Sequence, residues 1–191
     1  VASLTAAFKV TKDNQYAEHA IRHLHKWFIN KETRMNPNMN YAQAIKGICA
    51  GRGVGLIDGI HLVEVARSLS VLEENSGIDK NDAKIIKEWF AEFLDWMTTH
   101  EYGIDERERK NNHGSCWVMQ AAEYARLTQN VEMTNYCIDR YKTVLLPNQM
   151  AEDGSFPMEL ERTKPYGYSL FNIDILASVC KILSSDDVNL W

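Results

Sequence analysis

Two short stretches of the chain carry side chains whose types and spacing suit proton transfer beside an anion. The first is Asn111-Asn112-His113, directly ahead of an apolar helical pattern that starts near Gly114. Asn is a preferred N-cap, so one reading is a capped helix followed by a surface histidine. The other reading is that the helix start aims an amide and an imidazole into a cleft, where backbone N–H groups and the helix dipole favour an anion. The second stretch runs from Arg162 through Lys164, Pro165, Tyr166, Gly167 and Tyr168 to Asn172. Pro and Gly here read as a turn leading into a helix, with the aromatics packing on the core. The grouping of two cations with two phenols is harder to dismiss as packing. A loop Arg pairs bidentately with a carboxylate, and a Tyr beside that cation has its phenolate favoured.

A third patch holds Asn38, Asn40, Tyr41, Gln43 and Lys46, followed by Gly51-Arg52-Gly53-Val54-Gly55. There is no GxxxxGK[ST] pattern and no preceding strand, so a nucleotide loop is not indicated. Amide and phenol side chains suit sugar hydroxyls; the competing reading is a polar loop whose glycines let helices approach. His19 and His23 stand four apart, a spacing that can bind a metal. No HExxH motif is present, and no nearby Cys or carboxylate completes a set, so they read as a solvated helix face. Asp58, Glu64, Asp153, Glu159 and Glu161 are candidates for the facing acid pair of a glycosidase, but no pair stands out.

These groups need a scaffold, and composition bounds what it is. With 45% hydrophobic and 25% charged residues over 191 positions, the chain has enough apolar material for one sizeable core and is neither disordered nor fibrous. Its 21 Lys and Arg against 26 Asp and Glu argue against a general nucleic-acid binder, although a cleft can be locally positive on an acidic protein. No apolar run approaches the ~20 residues that span a bilayer. Cys49, Cys116, Cys137 and Cys180 form no CxxC pair, which speaks against a zinc site or a dense disulfide framework. The opening VASLTAAFKV lacks an initiator Met and starts inside an apolar periodic pattern, so the chain reads as a piece of something longer.

Periodicity is helical almost throughout. It predicts helices over 13–30, with Asp13 as N-cap, and over 55–74, 81–100, 114–128, 131–146 and 167–184. Order and loop length pair these six as three helical hairpins, joined by connections at 31–54, 101–113 and 147–167. Long ordered connections are uncommon unless they carry function. Strand signals are nearly absent. The expected class is all-α, with the architecture of part of an α/α toroid.

Taken together, NNHGSCW at 111–117, DGSFPMELERTKPYGYSLFN at 153–172 and NYAQAIKGICAGRGVGLID at 40–58 resemble the alginate-lyase-like polysaccharide lyases. The resemblance spans roughly residues 35–180. It implies a single catalytic domain over 1–191, an incomplete α/α toroid with fewer hairpins than the family's and therefore a fragment of a longer domain. It implies cleavage of a uronate polymer, alginate or glucuronan, by β-elimination, in which the C5 proton is removed and the O4 oxygen expelled. In that chemistry Asn112 and Arg162 match the groups that neutralise the uronate carboxylate, and His113 and Tyr168 match the base and acid. Tyr168 is preferred over Tyr166 because it lies closer to the SLFN helix start, the two facing the same way if the segment is extended. Arg52 and Lys164 are assigned to flanking carboxylates, and Asn40, Tyr41, Gln43, Tyr166 and Trp117 to subsites, with a core position as the competing reading for Trp117.

No metal or cofactor is implied. The implied partner is an anionic uronate polysaccharide, with neither nucleic acid nor membrane, and the implied site of action is periplasmic or extracellular. A His and a Tyr are both on hand, so the residues do not choose between mannuronate, guluronate and glucuronate. Two alternatives remain open: a glycoside hydrolase on the same toroid, and a non-catalytic helical carbohydrate-binding protein.

Overall fold

The computed structural model describes residues 1–75 and 77–191. Its elements are helical: α1 (Ala2–Thr11), α2 (Asn14–Leu24), α3 (Leu62–Glu74), α4 (Lys80–Thr99), α5 (Glu101–Arg107), α6 (Asn112–Thr128), α7 (Val131–Arg140), α8 (Leu146–Gln149), α9 (Pro157–Leu160) and α10 (Pro165–Leu183). Among the described residues there is no strand, only an isolated antiparallel bridge between Ile45 and Cys49. The expected all-α class is what forms, and no helix is long and apolar enough to cross a membrane.

All six expected helices are present, with local adjustments. The expected 13–30 helix is α2 continued by a π turn over His25–Ile29, and Asp13 caps it by accepting from the Gln15 N–H at 3.0 Å. The first half of the expected 55–74 helix is a 3-10 segment, Gly53–His61, before α3 begins. After α7 a π turn over Tyr141–Leu145 leads into α8, which has Pro147 in its first turn. Proline has no N–H to give to the carbonyl one turn back, so widening the ladder just ahead of it accommodates the break.

Three helices lie where none was expected, one of them the short α9 inside the 147–167 connection. α1 forms from the opening apolar pattern. α5 occupies the connection at 101–113, with His100 as its cap: the Nδ1 atom accepts from the Tyr102 N–H at 3.1 Å. α5 also contains Gly103, whose place against the end of α4 is so close that a Cβ would collide with the Met97 carbonyl. A helix with an unusual cap and an internal glycine carries little local signal.

The expected helical hairpins form in part about a shared element, α4 packing on α6 and α6 on α7, as in part of an α/α toroid. α6 is a hub, with α3, α4, α5, α7 and α10 packed around it. Every residue of α6 except His113, Arg126 and Thr128 is buried. Its buried polar side chains Asn112, Gln120 and Glu123 are bonded to protein groups, so the helix leaves almost no face to solvent and is surrounded by its neighbours. Ala121, Ala122 and Ala125 let neighbours approach, and Tyr124 packs on Phe90 and Phe93 of α4. The four cysteines are free thiols, three of them buried.

Candidate active site

The start of α6 is held by side chains from four other elements. Asn111 is its cap, the Oδ1 atom accepting from the His113 N–H at 3.3 Å. Behind it, Gln149 at the end of α8 donates from Nε2 to the Asn111 carbonyl at 2.9 Å. The Oε1 atom of Gln149 accepts from the Ser115 hydroxyl at 2.8 Å and from Asn172 Nδ2 of α10 at 3.0 Å. Gln149, Ser115 and Asn172 are buried, so the network fixes the position of the helix start rather than decorating a surface.

Asn112 and His113, adjacent in sequence, each meet a buried carboxylate. The Asn112 backbone N–H donates to Glu159 Oε1 at 2.7 Å, and its Nδ2 donates to Oε1 at 2.9 Å and Oε2 at 2.7 Å. Both residues are 1% exposed. Glu159 thus takes an orphan N–H of the helix start and the amide beside it, a suitable place for an anion. His113 turns the other way. Its Nδ1 lies 2.6 Å from Oε1 of Glu106 on α5, and its ring keeps 18% exposure while Glu106 has none. Burial pushes the Glu106 carboxyl up, against the downward pull of His113 and Arg109.

Arg162 follows one turn after Glu159, its backbone N–H donating to the Glu159 carbonyl at 3.2 Å. Its guanidinium lies over the Tyr168 ring, 4.1 Å from the centroid, and forms no ion pair among the described residues. Such stacking holds a cation beside a phenol while leaving its N–H fork available. Tyr168 is half-buried, whereas Tyr166 is 77% exposed. The expectation that the two tyrosines face the same way is corrected here. Both lie in the first turns of α10, not in an extended segment, and residues two apart on a helix point to nearly opposite sides. Glu159 thus meets Asn112 through its side chain and Arg162 through its backbone, Arg162 stacks on Tyr168, and His113, next to Asn112 in sequence, joins Glu106 instead.

The other expected residues lie apart from Asn112, His113, Arg162 and Tyr168. Asn40 accepts from Trp96 Nε1 at 3.0 Å, which pins the 31–54 connection to α4. Asn40 and exposed Tyr41 line a cavity of about 610 Å³ floored by Trp89 and Phe93, which none of those four residues lines. Arg52 donates from Nε to the Gln43 carbonyl and from Nη2 to Gln43 Oε1, both at 3.0 Å, and Gln43 donates to Asp58 at 3.1 Å. The glycines around Arg52 serve close packing: a Cβ on Gly51 would collide with the Asn40 carbonyl, and one on Gly53 with Asp105 of α5. Lys164 caps α10 and is exposed, as are His19 and His23, which stack on each other on α2.

Trp117 was expected to line a subsite and does not. It is 0% exposed, and its indole N–H donates to the Met97 carbonyl at 3.3 Å. Its position five residues into the hub helix turns it into the core. Replacing Trp117 by Ala is expected to lower unfolding stability by about 3–5 kcal/mol. Chemical denaturation checks this, and a stability near the parent's would restore an exposed role for the indole.

Sequence reasoning passed over Glu106 altogether and left Glu159 as one carboxylate among several. Glu106 sits seven residues before His113 in the stretch read as a loop, so no periodicity marked it. Glu159 precedes Arg162 by three residues, a spacing that places both on one helical turn once α9 is known.

The comparisons bear on the whole chain. The family model described as alginate lyase matches residues 1–191. A crystal structure of an alginate lyase from Bacteroides ovatus is similar to this chain at 31% sequence identity, with a TM-score of 0.91. The match covers 98% of this chain and 53% of that one, so the chain spans about half the length of that relative. No curated protein sequence matches it. The full-length family match and the shared fold at that identity lead to one conclusion: the chain belongs to the alginate lyase family.

Proposed function

We propose that this chain carries the catalytic groups of a polysaccharide lyase that cleaves a uronate polymer, alginate foremost, by β-elimination. The observation that carries the reading is this set of groups: an imidazole braced at Nδ1, and a guanidinium lying over a phenol with no carboxylate of its own among the described residues. The C5 proton of a uronate is too weakly acidic while the adjacent carboxylate holds its full charge. Arg162 neutralises that carboxylate and so stabilises the enolate-like transition state, as an oxyanion hole does. The amide hydrogens of Asn112 are engaged by Glu159, which puts the larger share of this work on Arg162 and leaves Asn112 to shape the anion site.

His113 and Tyr168 move the proton. A base takes it from C5, the C–H electrons form the C4–C5 double bond, and O4 leaves with a proton from the acid. For mannuronate or glucuronate, proton and leaving oxygen depart from one face, and Tyr168 alone can serve both. For guluronate they depart from opposite faces, and His113 and Tyr168 divide the labour. Arg52, held by Gln43, and exposed Lys164 are suited to flanking carboxylates, and Asn40, Tyr41 and Tyr166 to sugar contacts. The reaction needs no cofactor in this scheme. A polymer substrate puts the site of action in the periplasm or outside the cell.

The hydrolase alternative needs two carboxyl groups facing a sugar. Glu106 and Glu159, the carboxylates that meet His113 and Asn112, are buried and bonded to protein groups, which favours elimination. The test is ultraviolet absorbance during incubation with polymannuronate, polyguluronate and glucuronan. A rise on at least one polymer is expected, since elimination leaves a conjugated double bond that hydrolysis cannot make, and the responding polymer identifies the substrate. New reducing ends without absorbance would replace this reading by the hydrolase. Polymer bound without new ends would replace it by a binding protein.

A further inference from the structure

We infer that Glu106 is a positioning residue that fixes the proton of His113 on Nδ1 and leaves the lone pair of its Nε2 for the substrate. The inference deepens the proposed lyase reading by naming what orients its imidazole. It starts from geometry: Glu106 Oε1 is 2.6 Å from His113 Nδ1, while Glu106 Oε2 is buried with no hydrogen-bond partner. A neutral imidazole has one N–H and one lone pair, and whichever nitrogen bonds a carboxylate carries the proton. Nδ1–H donating to Glu106 leaves the lone pair on Nε2.

Burial then acts on the energy of the pair. With Nε2 unprotonated the pair holds a net charge of minus one, on a carboxylate with no solvent contact and one oxygen bare. Such a charge is costly to keep out of water. When Nε2 takes a proton, the imidazolium neutralises the carboxylate across the 2.6 Å bond, and that cost is relieved. The other charged and titratable groups acting near this carboxylate are Asp105 and Arg109, with the buried thiol of Cys116 on α6. Asp105 and Arg109 pair with each other through a two-oxygen contact and largely cancel. This leaves His113 as the close partner of Glu106.

The position of Glu106 is built in by several elements. It lies near the end of α5, where Gly103 lets the helix press against the end of α4 and Gly53 lets the 3-10 segment press against Asp105. The start of α6, braced by Gln149 and Asn172, presents His113 from the other side.

The experiment compares the parent chain with E106Q and E106A. First, ¹⁵N shifts of the His113 ring are measured, a readout that does not depend on turnover. The parent is expected to show Nδ1 protonated and Nε2 unprotonated at high pH. E106Q keeps an acceptor for Nδ1–H and loses the charge, so it is expected to hold the same tautomer less exclusively than the parent. E106A is expected to show mixed tautomers. Second, in the absorbance assay E106Q is expected to lose about 10²-fold in kcat with little change in KM. A parent His113 protonated on Nε2, or E106A ring shifts identical to the parent's, would overturn the assignment. A kcat loss accompanied only by a matching loss of thermal stability would do so too. Absence of turnover in the parent would instead count against the lyase reading, while the ring shifts still decide the role of Glu106.

Discussion

Replacing Tyr168 by Phe is expected to lower turnover of the uronate polymer by about 10²–10⁴-fold while leaving polymer binding nearly intact. The substitution removes a single oxygen. The ring stays, so the guanidinium of Arg162 keeps the face it lies over at 4.1 Å, and the first turns of α10 keep their packing. What disappears is the group that the proposed mechanism uses to return a proton to the leaving O4 oxygen. The defect therefore falls on kcat. Tyr166→Phe serves as the contrast: that phenol is 77% exposed on the other side of the helix, and its loss is expected to change kcat little. Steady-state absorbance kinetics on the responding polymer, with binding measured separately by calorimetry, checks both. Turnover unchanged in Tyr168→Phe would remove Tyr168 from the mechanism, and a large loss in Tyr166→Phe would transfer the role to it.

The second large effect is expected at Arg162. Arg162→Ala removes the cation set against the uronate carboxylate, and a loss of about 10²–10³-fold in kcat/KM is expected, the range seen when one preorganised oxyanion donor is deleted. Arg162→Lys keeps a positive charge but loses the planar fork and the stacking on Tyr168, so partial recovery is expected, short of the parent. The graded series distinguishes electrostatic neutralisation from a purely structural role. A structural Arg would show Lys and Ala failing together, in step with thermal stability. Added salt should weaken the parent through polymer capture while leaving the ratio of parent to Arg162→Ala kcat nearly constant, because the contact in the bound state is shielded from the ion atmosphere.

The two buried carboxylates explain why the site is not simply four side chains. Glu159 engages the backbone N–H and amide of Asn112, residues 47 apart in sequence, and Glu106 engages the neighbouring imidazole from the opposite side. Adjacent residues at one helix start are thereby turned in two directions, each by an anion from a different element.

The amino-acid sequence by itself determined the helical class, the six principal helices and the cap at Asp13. Each of these follows from interactions that close within a turn or two of chain: apolar side chains recurring every three or four residues, and a cap side chain accepting from an N–H two residues on. Tertiary structure alone decided which of the candidate residues are available. Trp117 reads the same in sequence whether it faces a cleft or the core, and only the ring of helices around α6 buries it. Tyr166 and Tyr168 were parted by the helical, rather than extended, state of their segment. Glu106 became visible only when α5 formed from a stretch with an unusual cap and an internal glycine, and when that helix came to rest against the start of α6. Local periodicity records which face of an element is apolar; it carries no information about which distant element will meet that face, and the pairing of a buried charge with its partner is settled only there.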